Sequence, residues 1–358
     1  MTTIAFMDRC PSQLTGDSTS ESEDISRIPT LNITALRIND TSNEEQQQKY
    51  DSHRTETMLK LTTTLYIDSE HVARQLEQTG NYRILRLLPT PHPNHRLPLD
   101  DEKIAVVLDV ETTGLNLETD ELIQLAMVKF IYNQNGNIRD TVDTFSEFNE
   151  PQTSVPEFIT KLTGITNEML KGKRINSNDV NKFIADADLI IAHNATFDRS
   201  FCEKLSNAFS EKRWACSMSD VKWSDYGYEN KKLKYLLLDQ GWFYQSHRAL
   251  DDAYAVLRIL SNPLPNDQGI PFRNLLNSAN RTTVLIKAIK FPFVHKDVLK
   301  NRDYKWYENK QNNRKFWWKE VPEEEKDEEL DFLKQKTFDY KDEPIIETIT
   351  ALERYKSW

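Results

Sequence analysis

IAVVLDVETTG, residues 104 to 114, begins as a core strand and ends as something else. Its Val- and Ile-rich run predicts a strand buried on both faces. The run then meets two acids, Asp109 and Glu111, followed by Thr112, Thr113 and the turn former Gly114. Side chains alternate along a strand, so Asp109 and Glu111 project from one face at its carboxyl end. Two carboxylates held side by side repel each other unless a cation lies between them. A lone D-x-E is also what a strand running into a polar loop shows by chance, so its meaning depends on what else converges there.

Downstream, ELIQLAMVKFIY (121–132) and Ile138 to Phe148, joined through NQNGN, predict a β-hairpin that continues the sheet. VPEFITKLTGITNEML predicts short helices broken at Gly164, and a further helix is expected around Asn178 to Asp186. DLIIAH (188–193) predicts a second buried strand, again ending in polar residues, with a helix from Ala195 to Phe209. Strand, hairpin, helices, strand and helix predict an α/β domain on a mixed sheet, and ligands of such sheets collect where strands end.

Upstream, residues 1–56 are rich in Ser, Thr, Asp, Glu, Gln and Asn, which predicts a disordered polar tail. Residues 57–100 are expected to form a small αβ segment. It comprises a β-prone stretch from Met58 to Asp68, a helix from Ser69 to Gln78, an extended YRILRLLP and a Pro- and His-rich linker. The central domain is expected over 101–265 and a small α+β extension over 266–358.

A mean hydropathy of −0.66 describes a well-solvated chain. No apolar run reaches bilayer length and no secretory leader opens the sequence, so a cytoplasmic protein without a membrane partner is expected. Cys10, Cys202 and Cys216 lie far apart with no C-x-x-C pair, which argues against a disulfide framework and a zinc knuckle. The net charge of −10 is unevenly spread. Acid gathers in the leading tail and in EVPEEEKDEELD (320–331), base between Arg273 and Lys319.

Three clusters carry acids that packing alone does not demand: LDVETTG (108–114), HNATFDRSF (193–201) and HRALDDAYAVL (247–257). Asp198 sits one helical turn after a buried strand between Phe197 and Phe201, a costly setting for a lone carboxylate. Asp251 and Asp252 follow His247 on a helix whose Leu250, Tyr254, Leu257 and Leu260 are spaced to pack on the sheet.

In order, spacing and flanking residues, these clusters resemble the three motifs of the DnaQ-like DEDD superfamily of 3′–5′ exonucleases. The first motif, D-x-E-T-T-G-L, is matched by Asp109, Glu111, Thr112, Thr113, Gly114 and Leu115. The second, an Asn followed by F-D, is matched by Asn194, Phe197 and Asp198. The third, H-x-x-x-x-D, is matched by His247 and Asp252, which places the chain in the DEDDh branch with Asp251 as the competing choice. LTGIT (162–166), WACSM (214–218) and KDVLKNRDYKW (296–306) are also similar to bacterial stand-alone members of the family.

The resemblance implies a ribonuclease H-like mixed β-sheet flanked by helices and a catalytic set of Asp109, Glu111, Asp198, His247 and Asp252. It implies two Mg²⁺ or Mn²⁺ ions, with Asp109 bridging them, Glu111 and Asp252 completing the site that activates water, and Asp198 helping to hold the second. Hard cations take carboxylate oxygen and water, which is what four acids without a Cys cluster provide. His247 is the implied general base. Thr112, Gly114 and Leu115 are expected to grip the terminal nucleotide, with Asn194 and Phe197 flanking the pocket; Phe197 equally suits a core position.

The implied partner is nucleic acid with a free 3′ end, single-stranded DNA in the leading reading, with a DNA polymerase or repair protein as a further partner. RNA trimming and a non-catalytic nucleic-acid adaptor are the rival readings. KDVLKNRDYKWYENKQNNRKFWWK (296–319) interleaves Tyr304, Trp306, Tyr307, Phe316, Trp317 and Trp318 with Lys and Arg. Two readings fit it: a single-strand binding surface, or a helix and hairpin whose Trp residues make a small core. The acidic run after it is expected to be a solvated helix face.

Overall fold

The computed structural model describes residues 69–291, 294, 296–309, 313–336 and 343–357. The tail expected over 1–56, the β-prone stretch from Met58 to Asp68, and Cys10 lie outside these residues. The chain forms two units, residues 1–85 and 86–358. In the first, α1 spans Ser69–Gln78 as expected, and the N–H of Ile84 donates to the Glu77 carboxylate at 3.4 Å.

The second unit opens with β1, Arg86–Leu87, which pairs in parallel with β7, Trp242–Phe243. The extended YRILRLLP is therefore a strand for only two residues; Pro89 and Pro91 offer no N–H to prolong the ladder. The linker that follows is pinned by Arg96, whose guanidinium donates to Glu102 and Asp140 at 2.6 Å each.

The central sheet is built from β2 (Glu102–Thr112), β3 (Leu122–Asn133), β4 (Ile138–Phe148), β5 (Leu189–Ala192) and β6 (Trp214–Cys216). Its order is β4-β3-β2-β5-β6. The β2-β3 and β3-β4 pairs are antiparallel, whereas β5 and β6 join in parallel, giving the mixed ribonuclease H-like sheet. Alternation sorts β2 cleanly. Ala105 and Val107 pack with α6 (Leu233–Asp239), α7 (Ala249–Ser261) and α8 (Pro271–Asn280). Val106, Leu108 and Val110 pack with α4 (Ser177–Ile184) and α5 (Ala195–Leu205) on the other face. Two shorter helices, α2 (Glu157–Thr163) and α3 (Asn167–Leu170), precede α4 and cover Ile123. Helix α8 is integral to the first core: Phe272 meets Phe130 and Tyr132 edge-on at 5.4 and 5.0 Å.

The remaining strands make a four-stranded antiparallel sheet of order β11-β8-β10-β9, formed by β8 (Thr283–Ile289), β9 (Lys305–Asn309), β10 (Arg314–Pro322) and β11 (Ile345–Ile349). On one face Val284, Ile286, Ala288, Trp317 and Val321 pack with Leu299 of α9 (Lys296–Lys300) and Leu333 of α10 (Lys326–Lys336). Trp317 thus belongs to this core. The acidic run is only partly the solvated face expected of it. Glu329 is 3% exposed and accepts from Arg302 at 3.1 Å and Lys319 at 2.8 Å, so part of the basic block is neutralised internally. Glu329→Ala removes the carboxylate that Lys319 and Arg302 share, leaving Arg302 with Glu328. It is expected to cost about 1–3 kcal/mol, measured by denaturant unfolding followed through Trp fluorescence.

The end of the chain returns to the central sheet. Arg199 on α5 is fully buried, donates to the carbonyls of Arg354 and Leu352 at 2.6 and 2.9 Å, and pairs with Glu203. The N–H of Trp214 on β6 donates to the Ala351 carbonyl at 2.8 Å.

Candidate active site

Strand β2 is flanked by β3 along its whole length, but β5 accompanies it only from Ala105 to Val107. Beyond Val107 one edge of β2 is open, and that is where the acids stand. Asp109 and Glu111 fall on the face that Ala105 and Val107 share with α7, as the alternation requires. Helix α7 presents Asp252 to the same face. Ligand atoms of Asp109, Glu111 and Asp252 lie within 4.8 Å of one another. Asp198 approaches from the open edge, on α5, and accepts hydrogen bonds from the backbone N–H groups of Val110 and of Asp198 itself.

These carboxyls resist ionisation. Burial, followed by repulsion from Asp252, Asp198 and Glu111, holds Asp109 well above the usual carboxylate range. Asp109 keeps partial exposure at the mouth of the site, yet protein surrounds its carboxyl closely enough that burial is still the first cause. Glu111 is pushed up to about 7 by burial and Asp252, against a lowering pull from Arg248. Burial raises Asp198 to about 8, with Glu111 and Asp252 adding to it against its two backbone donors. Such a cluster is what a bound hard cation would relieve, and its donors are all oxygen. The residues present therefore fit a divalent metal.

At the third cluster the two adjacent acids take different positions. Asp252 is buried and enters the carboxylate group, whereas Asp251 is partly exposed and does not. Two neighbours with no signal in the motif pattern fix Asp252: Tyr244 Oη donates to Oδ1 at 2.6 Å and the Arg248 N–H donates to Oδ2 at 3.0 Å. Burial and the Asp252 charge keep Tyr244 protonated, so it remains a donor. The short β1-β7 ladder ends one residue before Tyr244, with Leu88 N–H bonded to the Phe243 carbonyl at 2.9 Å. His247 is exposed at the entry to α7 with φ +65°, and its charge bears on Asp252.

Arg248 also explains the glycine in LTGIT. Gly164 closes α2 at φ +72°, and a Cβ there would stand 2.8 Å from the Arg248 guanidinium. Burial raises both Glu111 and Asp251, and that guanidinium opposes the rise in each, which places a cation beside the acidic group.

The expected nucleotide-gripping residues are more scattered. Thr112 is buried and its hydroxyl donates to the Gly114 carbonyl. Gly114 is crowded by Asp120, whose carboxylate would lie 2.5 Å from an added Cβ. Leu115 is 86% exposed beside the site, an unburied apolar side chain on a turn. Asn194 precedes α5 at φ +88° with its side chain exposed and making no capping bond. Phe197 is half-buried against Phe201 at 5.0 Å, so it serves packing. His193 is structural: its ring bonds Ser217 Oγ at 2.8 Å and the Lys231 carbonyl at 2.9 Å, and burial lowers its pKa to about 4.

The exonuclease family RNase_T matches residues 106–260, a span that starts on β2 and ends on α7 and so contains all three clusters. The chain carries an exonuclease domain of the DnaQ-like superfamily. The DNA polymerase III PolC-type of Caldanaerobacter subterraneus subsp. tengcongensis is 33% identical over 204 residues, 54% of this chain and 14% of the relative. That of Halalkalibacterium halodurans is 41% identical over 117 residues, 32% of this chain and 8% of the relative. The exonuclease domain thus aligns with a small part of much longer proteins. Among solved structures, E. coli exonuclease I in complex with a 5cy-dA13 oligonucleotide is similar at TM-score 0.41 and 16% identity, over 52% of this chain and 48% of that one. Exonuclease X in complex with 5′ overhanging duplex DNA is similar at TM-score 0.34 and 22% identity, over 47% of this chain and 99% of that one. No described helix is long and apolar enough to cross a membrane.

Proposed function

We propose that this chain is a divalent-metal-dependent 3′–5′ exonuclease of the DEDDh type, hydrolysing phosphodiester bonds at the 3′ end of single-stranded DNA and releasing nucleoside 5′-monophosphates. The convergence of Asp109, Glu111 and Asp252 from β2 and α7 carries the reading. Two Mg²⁺ or Mn²⁺ ions held by these acids and Asp198 would supply a water of low pKa and counter-charge for the leaving 3′-oxygen. His247, exposed beside Asp252, takes the proton from the attacking water. Tyr244 and the Arg248 N–H hold both oxygens of Asp252 in one orientation. The Arg248 guanidinium, next to Glu111, supports a phosphate-facing role. Leu115, Thr112, Gly114, Asn194 and Phe197 line the approach of the terminal nucleotide in this reading.

The polymerase names of the relatives support DNA as substrate and a DNA synthesis or repair setting. The test is a side-by-side digestion of single-stranded DNA, duplex DNA and RNA, each labelled at its 5′ end, with Mg²⁺. A ladder shortening from the 3′ end of single-stranded DNA is expected, slowed about 10²–10⁴-fold by His247→Asn. Shortening of RNA alone would move the substrate to the rival trimming reading, and no shortening of any substrate would leave the non-catalytic one.

A further inference from the structure

The basic and aromatic block at 296–319 is divided by its own sheet. Directly paired residues on antiparallel strands share a face. Trp317 pairs with Trp306 and looks into the core beneath α9 and α10. Trp318 pairs with Lys305 and Phe316 pairs with Tyr307, so these four look the opposite way. On that outer face Tyr307 and Phe316 lie 5.0 Å apart at 31°, and the Lys305 ammonium sits 4.9 Å above the Trp318 ring. An aromatic row threaded with lysine, on the side of a sheet away from its helices, has the composition of a base-stacking surface.

This face does not open onto bulk solvent alone. It forms one wall of a cleft of about 1390 Å³, of which Lys305, Tyr307 and Trp318 are lining residues. Opposite stand Asn194 and Thr196 at the start of α5, the helix that carries Asp198, together with Met218 and Lys222. The volume exceeds the roughly 300–1,000 Å³ of small-molecule pockets, which favours an elongated occupant. The charge is suited to phosphate. Lys222, Arg281 and Lys305 are exposed cations of the cleft that pair with no carboxylate among the described residues. Three of its acids are engaged: Asp220 accepts from the Cys216 N–H and Ser278, Glu320 faces Arg354, and Glu353 accepts from Thr350.

We infer that this cleft holds the single-stranded segment lying 5′ of the scissile end, with bases stacked on Trp318 and Tyr307 and phosphates met by Lys305 and Lys222. The inference rests on the exonuclease reading above and adds the track by which a long strand reaches the acids.

The test uses the full chain and Mg²⁺, with 5′-labelled DNA of 3 and of 30 nucleotides. In Trp318→Ala, and separately in Lys222→Gln with Lys305→Gln, kcat/KM on the long strand is expected to fall about 10- to 100-fold. Turnover of the trinucleotide, which carries only two nucleotides 5′ of its terminal one, is expected to fall far less. The lysine pair is also expected to flatten the salt dependence of long-strand binding by about 0.7 per cation in log-log slope. Trp317→Ala is the packing control: it lowers the melting temperature and both substrates fall together. The lysines are exposed, so their variant stays readable if Trp318→Ala folds poorly. An unchanged ratio of long- to short-strand activity in the lysine variant, with an unchanged salt slope, overturns the inference; a surface for another protein would give that result. Failure of the parent to cut either strand would instead strike the exonuclease reading.

Discussion

Asp252→Asn is expected to remove nearly all turnover, while Asp251→Asn keeps most of it. The two acids are adjacent in sequence and sit one hundred degrees apart around α7, so only one can face β2. Asp252 does: it is buried, its ligand atom joins those of Asp109 and Glu111 within 4.8 Å, and Tyr244 and Arg248 hold it there. Loss of one carboxylate from a metal-binding set removes several kcal/mol of transition-state stabilisation, about 10³-fold in rate at 1.36 kcal/mol per decade. Asp251 is half-buried at the rim, where burial raises its pKa against the opposing Arg248 charge, and its amide replacement leaves the acidic group intact. The same Asp252→Asn protein is expected to be more stable than the parent in chelator at pH 8, because one of several mutually repelling buried charges is gone. Lost turnover with a raised melting temperature separates a role in the site from a simple folding defect. A fully active Asp252→Asn, or a dead Asp251→Asn, would reverse the assignment of the third cluster.

What sequence made legible follows from how local the physics is. β2 and the hairpin after it are long, strongly patterned and bounded by turn residues, so their ends fall within a residue or two of expectation. That Asp109 and Glu111 share a face follows from strand geometry alone. Three features could not be reached this way. Tyr244 acts on Asp252 through a loop whose course is set by the β1-β7 ladder, a pairing between segments more than 150 residues apart with two residues on each side. Arg199 looks in sequence like a solvated residue of α5, yet it is buried because the chain end supplies two carbonyls to it. The aromatic block gives no hint of which Trp faces the core, since Trp317 and Trp318 differ by one residue and strand register alone decides. Composition flagged the block; only pairing divided it.

In chelator the melting temperature is expected to fall as pH rises from about 5 to 8, and activity is expected to be absent throughout. Glu111 titrates near 4.5 when the chain is unfolded and near 7 in the fold; Asp198 moves from 3.8 to about 8, and Asp109 also rises. Between those values the folded protein holds more protons than the unfolded one, so raising the pH favours unfolding. This is the reverse of the salt-bridged carboxylate, whose stability is lost on acidification. The lost stability amounts to several kcal/mol once both groups are forced to ionise, about 10 °C in melting temperature for a unit of this size. Mg²⁺ or Mn²⁺ in excess is expected to restore both the melting temperature at pH 8 and the activity, since a ligand that binds only the fold stabilises it by mass action. His193 works the other way at the acid end: its folded value of about 4 lies below 6.5, so its contribution is present above pH 6.5 and lost as pH falls. Melts at pH 5, 6.5 and 8, each with chelator and with Mg²⁺, therefore distinguish the two titrations. A chelated protein whose melting temperature is flat from pH 5 to 8, and unmoved by Mg²⁺, would mean that these carboxyls are not held together in need of a cation, and full activity after exhaustive chelation would remove the metal from the reaction altogether.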